Sequence, residues 1–221
     1  MSYRETSTIN TVSSGIEINK VLRNTYFLLG LTLAFSALTA VIAMAMNLSP
    51  MASIVCFIAG FIMLFVVNKK ADSASGIFWV FGFAGAMGAS LGPLLNAYAG
   101  LANGPSLIMQ ALGGTAVIFF SLSAYVLTTR KDFSFMGGFL MVGLIVAMVA
   151  IIANIFLAIP ALSLAISAAV ILIMSGFILF DTSRIIHGGE TNYIRATVGL
   201  YLNIFNIFVH LLSLLGIMGD E

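Results

Sequence analysis

Charge is what this chain has least of. Of its 221 residues, nine are Lys or Arg and eight are Asp or Glu, 8% in all, while 61% are hydrophobic. A soluble globular domain carries about 25% charged residues, and so few charged side chains cannot cover a water-facing surface of this size. With a mean hydropathy of +1.12, the composition is that of an integral membrane protein. The net charge of +1 excludes the basic footprint of a nucleic-acid binder. A single cysteine, Cys56, excludes an intramolecular disulfide, and no Cys/His spacing resembles a zinc site. Gly113-Gly114 has no following lysine, so there is no phosphate-binding loop. A cleavable signal peptide is not expected either. The first 24 residues are polar, and the apolar stretch after them exceeds the roughly 7–15 residues of a signal core.

Long hydrophobic runs, by contrast, are abundant. A hydrocarbon core about 30 Å thick needs roughly 20 apolar residues in a helix, and seven segments qualify: Thr25–Met46, Met51–Val67, Gly76–Tyr98, Ser106–Leu127, Phe133–Ile159, Ala161–Ile186 and Ala196–Met218. Turn-forming residues separate them, such as Asn47-Leu48-Ser49-Pro50, Asn103-Gly104-Pro105 and His187-Gly188-Gly189-Glu190. At Pro160 two readings stay open, a true break or a kink in one long helix.

The basic residues set the orientation. With the N-terminus cytoplasmic, Arg4, Lys20, Arg23, Lys69, Lys70, Arg130, Lys131, Arg184 and Arg195 all fall on the inner side and none on the outer, as the positive-inside rule requires. The expected fold is all-α: seven transmembrane helices, N-terminus cytoplasmic and C-terminus periplasmic. Residues 25–221 form the membrane domain, and residues 1–24, rich in Ser and Thr, form a mobile cytoplasmic tail.

One carboxylate is embedded in an apolar segment. Asp181 lies in Gly176-Phe177-Ile178-Leu179-Phe180-Asp181-Thr182, near the cytoplasmic end of helix 6. An intramembrane acid is a functional-site candidate by default; the bland alternatives are a local ion pair with Arg184 at i+3 or a place in the wet interface. On helix 7, Asn203, Asn206 and His210 share one stripe by their spacing. For Asn206 and His210 the plainer reading is interhelical hydrogen bonding; Asn203 lies at a depth comparable with Asp181. Gly88-Ala89-Ser90-Leu91-Gly92 matches the G-x-S-x-G pattern, which marks a nucleophile only between a strand and a helix. Ser90 and His210 match in depth, so an intramembrane serine protease is a third reading. Gly82, Gly85, Gly88 and Gly92 more simply form a face for close helix packing. His187 and Glu190 flank a Gly-Gly loop and are read as solvated loop residues.

Several stretches carry a resemblance. The small-residue run ending in Gly92-Pro93, the segment Ala111-Leu112-Gly113-Gly114-Thr115-Ala116 and Phe180-Asp181-Thr182 resemble the Bax inhibitor family of transmembrane proteins. Residues Lys20–Phe27, Ser123–Asp132 and Ile186–Thr197 look closer still to its bacterial YccA-like branch. The resemblance implies a fold with helix 7 central, and a proton-sensitive pair of aspartates on helices 6 and 7 associated with calcium leak. Two close carboxylates cannot both ionise cheaply and titrate as a unit. By motif the first is Asp181, but the second falls on Asn203 in Leu200-Tyr201-Leu202-Asn203. An Asn donates a hydrogen bond but shares no titratable proton, and one carboxylate is a poor start for calcium, which takes six to eight oxygens. Calcium is therefore disfavoured, and no cofactor is expected.

The YccA-like branch implies instead a non-enzymatic protein of the bacterial inner membrane that binds the FtsH membrane AAA protease and restrains it. A pH-sensitive cation leak gated at Asp181 and Asn203 is the alternative.

Overall fold

The computed structural model describes residues 3–219, with side chains for 17–217. Among these residues every regular element is helical: α1 (Tyr3–Ala45), α2 (Pro50–Lys70), α3 (Gly76–Ser90), α4 (Gly92–Ala99), α5 (Gly104–Thr129), a 3-10 turn (Ser134–Met136), α6 (Gly137–Leu157), α7 (Pro160–Ile186) and α8 (Tyr193–Gly219). Seven spans are long and apolar enough to cross a membrane, with α3 and α4 together making the third. Asp220 and Glu221, expected on the outer side, lie outside the described residues, as do the side chains of most of the expected tail.

The helix starts follow a simple rule. All four prolines, Pro50, Pro93, Pro105 and Pro160, sit at the first or second position of a helix, where a missing N–H costs nothing and the fixed φ suits the turn. That rule explains two departures from the even apolar pattern. The segment expected as one helix over Gly76–Tyr98 is broken at Leu91, because Pro93 cannot continue the hydrogen bonding of the preceding turn. Pro160 likewise opens a separate helix. Ala158 turns left-handed at φ 51°, and Asn154 spans the break, its Oδ1 accepting from Ile159 N at 3.1 Å and its Nδ2 donating to Ser163 Oγ at 2.6 Å.

Two other boundaries move outward. Asn192 Oδ1 accepts from the backbone N–H groups of Ile194 and Arg195 at 2.8 and 3.2 Å, and this cap starts α8 at Tyr193 rather than Ala196. The backbone of α1 is helical from Tyr3, so the first span continues into the polar N-terminal segment.

The last helix lies at the centre. α8 packs against α7, α5 and α1, and more lightly against α2 and α3. It buries 39% of an apolar 18-residue stretch, against 11% for the corresponding stretches of α2 and of α6, whose Phe65 and Phe156 lie open to lipid. Lipid is as apolar as a helix face, so burial of hydrocarbon gives little drive to association; close packing and polar contacts hold such a bundle. Gly85, Gly88 and Gly92 accordingly bring α3 and α4 against Phe35, Ser36 and Ala43 of α1, while Gly82 faces Met63 of α2. The fully buried ring of Tyr201 stands edge-on to Phe83 at 5.1 Å, and its hydroxyl lies 2.7 Å from Ser36 Oγ.

Candidate functional site

Asp181 lies five residues before the end of α7, and Asn203 lies nearly three turns inside α8. α7 and α8 are antiparallel neighbours joined by a six-residue loop, 187–192, which brings the two side chains together. There Asn203 Nδ2 donates to Asp181 Oδ2 at 2.8 Å. Asn203 is buried, and Gly199, one turn earlier on α8, leaves room for the carboxylate: a Cβ at that position would stand 3.2 Å from Asp181 Oδ2.

Asp181, but not Asn203, borders a cavity of about 320 Å³ at the end of the bundle where the α7–α8 loop lies, with Asn68 of α2, Arg184, Glu190 and Arg195 in its wall. Arg184 does not neutralise Asp181 as a local pair. Its Nη2 lies 3.8 Å from Glu190 Oε2 and donates to Gly189 O at 3.0 Å, and its guanidinium rests over the Phe180 ring. Two arginines and two carboxylates therefore share the wall, and their formal charges cancel. Among the described residues no three His, Cys, Asp or Glu side chains gather as a metal site.

Two knots of polar contacts frame this end of the molecule. In the first, Arg195 Nη2 meets Asp72 Oδ2 at 2.6 Å, and Asn192 Nδ2 donates to Asp72 Oδ1 at 2.8 Å and to Ala71 O at 3.0 Å. This ties the α2–α3 turn to the start of α8 beside the cavity mouth. In the second, Ser183 Oγ accepts from Phe133 N at 2.8 Å and donates to Asp132 Oδ1 at 3.3 Å. His187 Nδ1 meets Ser183 O at 2.9 Å. The backbone N–H of Ser134, donating to Asp132, is the main cause that holds the Asp132 carboxyl below its usual range. His187 and Glu190 thus serve different contacts within one loop.

The remaining candidates go elsewhere. Asn206 Nδ2 donates to Leu202 O of its own helix at 2.8 Å, and His210 Nδ1 lies 3.3 Å from Ser167 Oγ on α7. Ser90 Oγ donates to Met87 O at 2.6 Å, so neither member of a Ser–His dyad is turned to the other. Asn68, Asp72, Asn192 and Gly199 belong to the site or its frame and were not singled out from sequence. Only Asn192 carried a local signal, a capping side chain just before a helical run.

The family resemblance implies a second aspartate where this chain has Asn203, which donates to Asp181 instead. Residues 18–220 match the family described as Bax1-I, inhibitor of apoptosis-promoting Bax1. The chain belongs to this family. It is 55% identical over 204 residues to the Escherichia coli K12 protein named modulator of FtsH protease YccA, covering 92% of this chain and 93% of that one. The counterpart in Escherichia coli O6:H1, named inner membrane protein YccA, aligns equally well. A membrane protein of Vibrio cholerae is 53% identical over 93% of each chain. The Bax1-I match spans all seven helices, so the fold and the family membership stand on the same residues.

Proposed function

We propose that this chain is a non-enzymatic protein of the bacterial inner membrane that binds an FtsH-type AAA protease and restrains it in membrane-protein quality control. The observation that carries the reading is the 55% identity across 92% of the chain to a modulator of FtsH protease. Two features of this chain support it. α1 has 43 residues, about 64 Å of helix at about 1.5 Å per residue, while a bilayer with its headgroups is about 40–45 Å thick. Its N-terminal end therefore projects beyond the membrane. The basic residues at the helix ends support a cytoplasmic side for that projection and for the Asp181 cavity, and a periplasmic C-terminus. Residues 1–24 then offer a handle that a cytoplasmic AAA ring can grip. The engagement of Ser90 and His210 with other partners supports a role without catalysis.

The test is a pull-down of the tagged protein from detergent-solubilised membranes, paired with an assay of FtsH degrading a membrane substrate. Co-purification and slowed degradation are expected, and deletion of residues 2–20 should relieve the slowing while membrane insertion persists. No association and no effect on degradation would overturn the proposal.

A second reading rests on a separate observation, Asp181 lining a cavity between helix ends while Asn203 donates to its carboxylate. If that cavity is the inner vestibule of a cation leak, Asp181→Asn should change calcium flux in liposomes. Flux that is equally flat for wild type, Asp181→Asn and Asn203→Asp would remove this reading.

A further inference from the structure

A second cavity, larger than that at Asp181, lies away from it in the membrane-spanning body. Its volume is about 450 Å³, and it runs along α1 from Tyr26 to Met44, about 27 Å of helix at about 1.5 Å per residue. α1 and α5 form its two walls and α8 its floor, at Tyr201, Ile204 and Phe208. α1 and α5 do not pack along their length; they are bridged at one end by α4, which touches both. At the other end the rings of Tyr26 and Phe119 meet at 5.9 Å. The result is a slot, closed above and below and open sideways between Ala37 of α1 and Ala116 of α5, both exposed.

The dimensions select the occupant. A volume of 450 Å³ spread over about 27 Å leaves a mean cross-section of about 17 Å². A helix about 10–12 Å across needs about 80–110 Å², so no transmembrane segment of a partner fits within it. An unbranched hydrocarbon chain does. Most polar groups along the slot are already satisfied: Ser36 Oγ and Tyr201 OH lie 2.7 Å apart, and Thr115 Oγ1 donates to Ala111 O of its own helix. The Tyr26 hydroxyl, at one end, is buried without a hydrogen-bond partner among the described residues. The slot is nearly as long as the hydrocarbon core is thick, about 30 Å, and its mouth faces the bilayer.

We propose that the slot between α1 and α5 binds one acyl chain of a membrane phospholipid as a resident ligand. Lipid packed there fills what is otherwise a void beside the central helix, and it connects the bilayer to Tyr201, which packs on the same helix two residues before Asn203.

The test uses the full chain in phosphatidylethanolamine–phosphatidylglycerol vesicles containing a phosphatidylethanolamine with a diazirine in mid-chain. After illumination, labelled residues are mapped by peptide mass spectrometry. Labelling of Ala37, Leu112 and Ala116 should exceed that of the open lipid faces of α2 and α6 at least threefold. The double variant Ala37→Phe with Ala116→Phe plugs the mouth with side chains that lipid tolerates, and should bring slot labelling down to the level of those faces. Ala34→Phe, on α1 but outside the slot, should leave it unchanged. Equal labelling of slot and open faces in the wild type overturns the proposal without any appeal to variants. So does slot labelling by a diazirine-bearing free fatty acid but not by the phospholipid. Protection of the slot in native membranes that disappears on purification would assign it to a protein segment instead, and would also overturn it.

Discussion

Asn203 and Asp181 meet through one hydrogen bond of 2.8 Å, carboxamide to carboxylate, between the central helix and its neighbour. The contact gives the carboxylate a donor that keeps its proton count at all pH values. Where the family resemblance implies two acids, this chain has a pair in which only one member titrates.

Replacing the carboxamide tests that difference. Asn203→Asp should make the pair share a proton and add a steep pH dependence to conformation and to any flux, since two touching carboxylates titrate together. Asn203→Leu removes the donor and should lower stability by about 1–3 kcal/mol, the cost of a partly buried polar group left without its partner. Intrinsic fluorescence against pH for the first, and thermal unfolding in detergent for the second, give the readouts.

Helix contact through glycine should be sensitive at one position and indifferent at another. A Cβ on Gly88 would run into the backbone oxygen of Ser36 and the Thr39 hydroxyl, whereas one on Gly113 meets nothing within 4 Å. Gly88→Ala should cost about 1–3 kcal/mol by forcing α3 off α1. Gly113→Ala should be neutral or stabilise by up to about 1 kcal/mol. Unfolding midpoints of the two variants that do not differ would refute the close approach at Gly88.

At the cavity mouth, the cap should matter more than the ion pair. Arg195 and Asp72 are 40% and 75% exposed, so Arg195→Ala should cost less than about 1 kcal/mol, and less still in high salt. Asn192→Ala removes the cap of α8, a loss of about 1 kcal/mol, together with both bonds to the α2–α3 turn. It should therefore be the more damaging change. Hydrogen exchange at Ile194 and Arg195 reports it directly.

The α5–α6 junction has its own pH signature. Asp132 is exposed, and the Ser134 backbone N–H holds its carboxyl below the usual value. A carboxylate lowered in the folded state supports the structure above its ordinary pKa, near pH 4, and loses that support as the pH falls through the lowered value. Protection of the Ser134 amide should thus persist down to about pH 4 and fade below it. Asp132→Asn should flatten that profile.

What sequence alone determined was the solvent and the count of spans. Seven apolar runs bounded by turn residues, with scarce charge, have no stable arrangement in water, and hydrocarbon requires each run to satisfy its backbone within its own helix. Asp181 was legible for the same reason: one acid in an apolar run stands out whatever the fold. The family resemblance set Asn203 beside it, and the structure places the two in contact. Tertiary structure decided what no local pattern encodes. Arg184, at i+3, was a fair partner for Asp181 by spacing, yet the loop after α7 folds Glu190 back to it instead. Ser90 and His210 matched in depth but point to different neighbours. Asp72 and Asn192, 120 residues apart, meet only because α2 and α8 end on the same side of the bundle. The slot between α1 and α5 has no signature at all, since its lining is as apolar as the helix faces around it. Depth follows from composition and helix rise, which are local; which face meets which, and where two helices part, depend on the packing of the whole bundle.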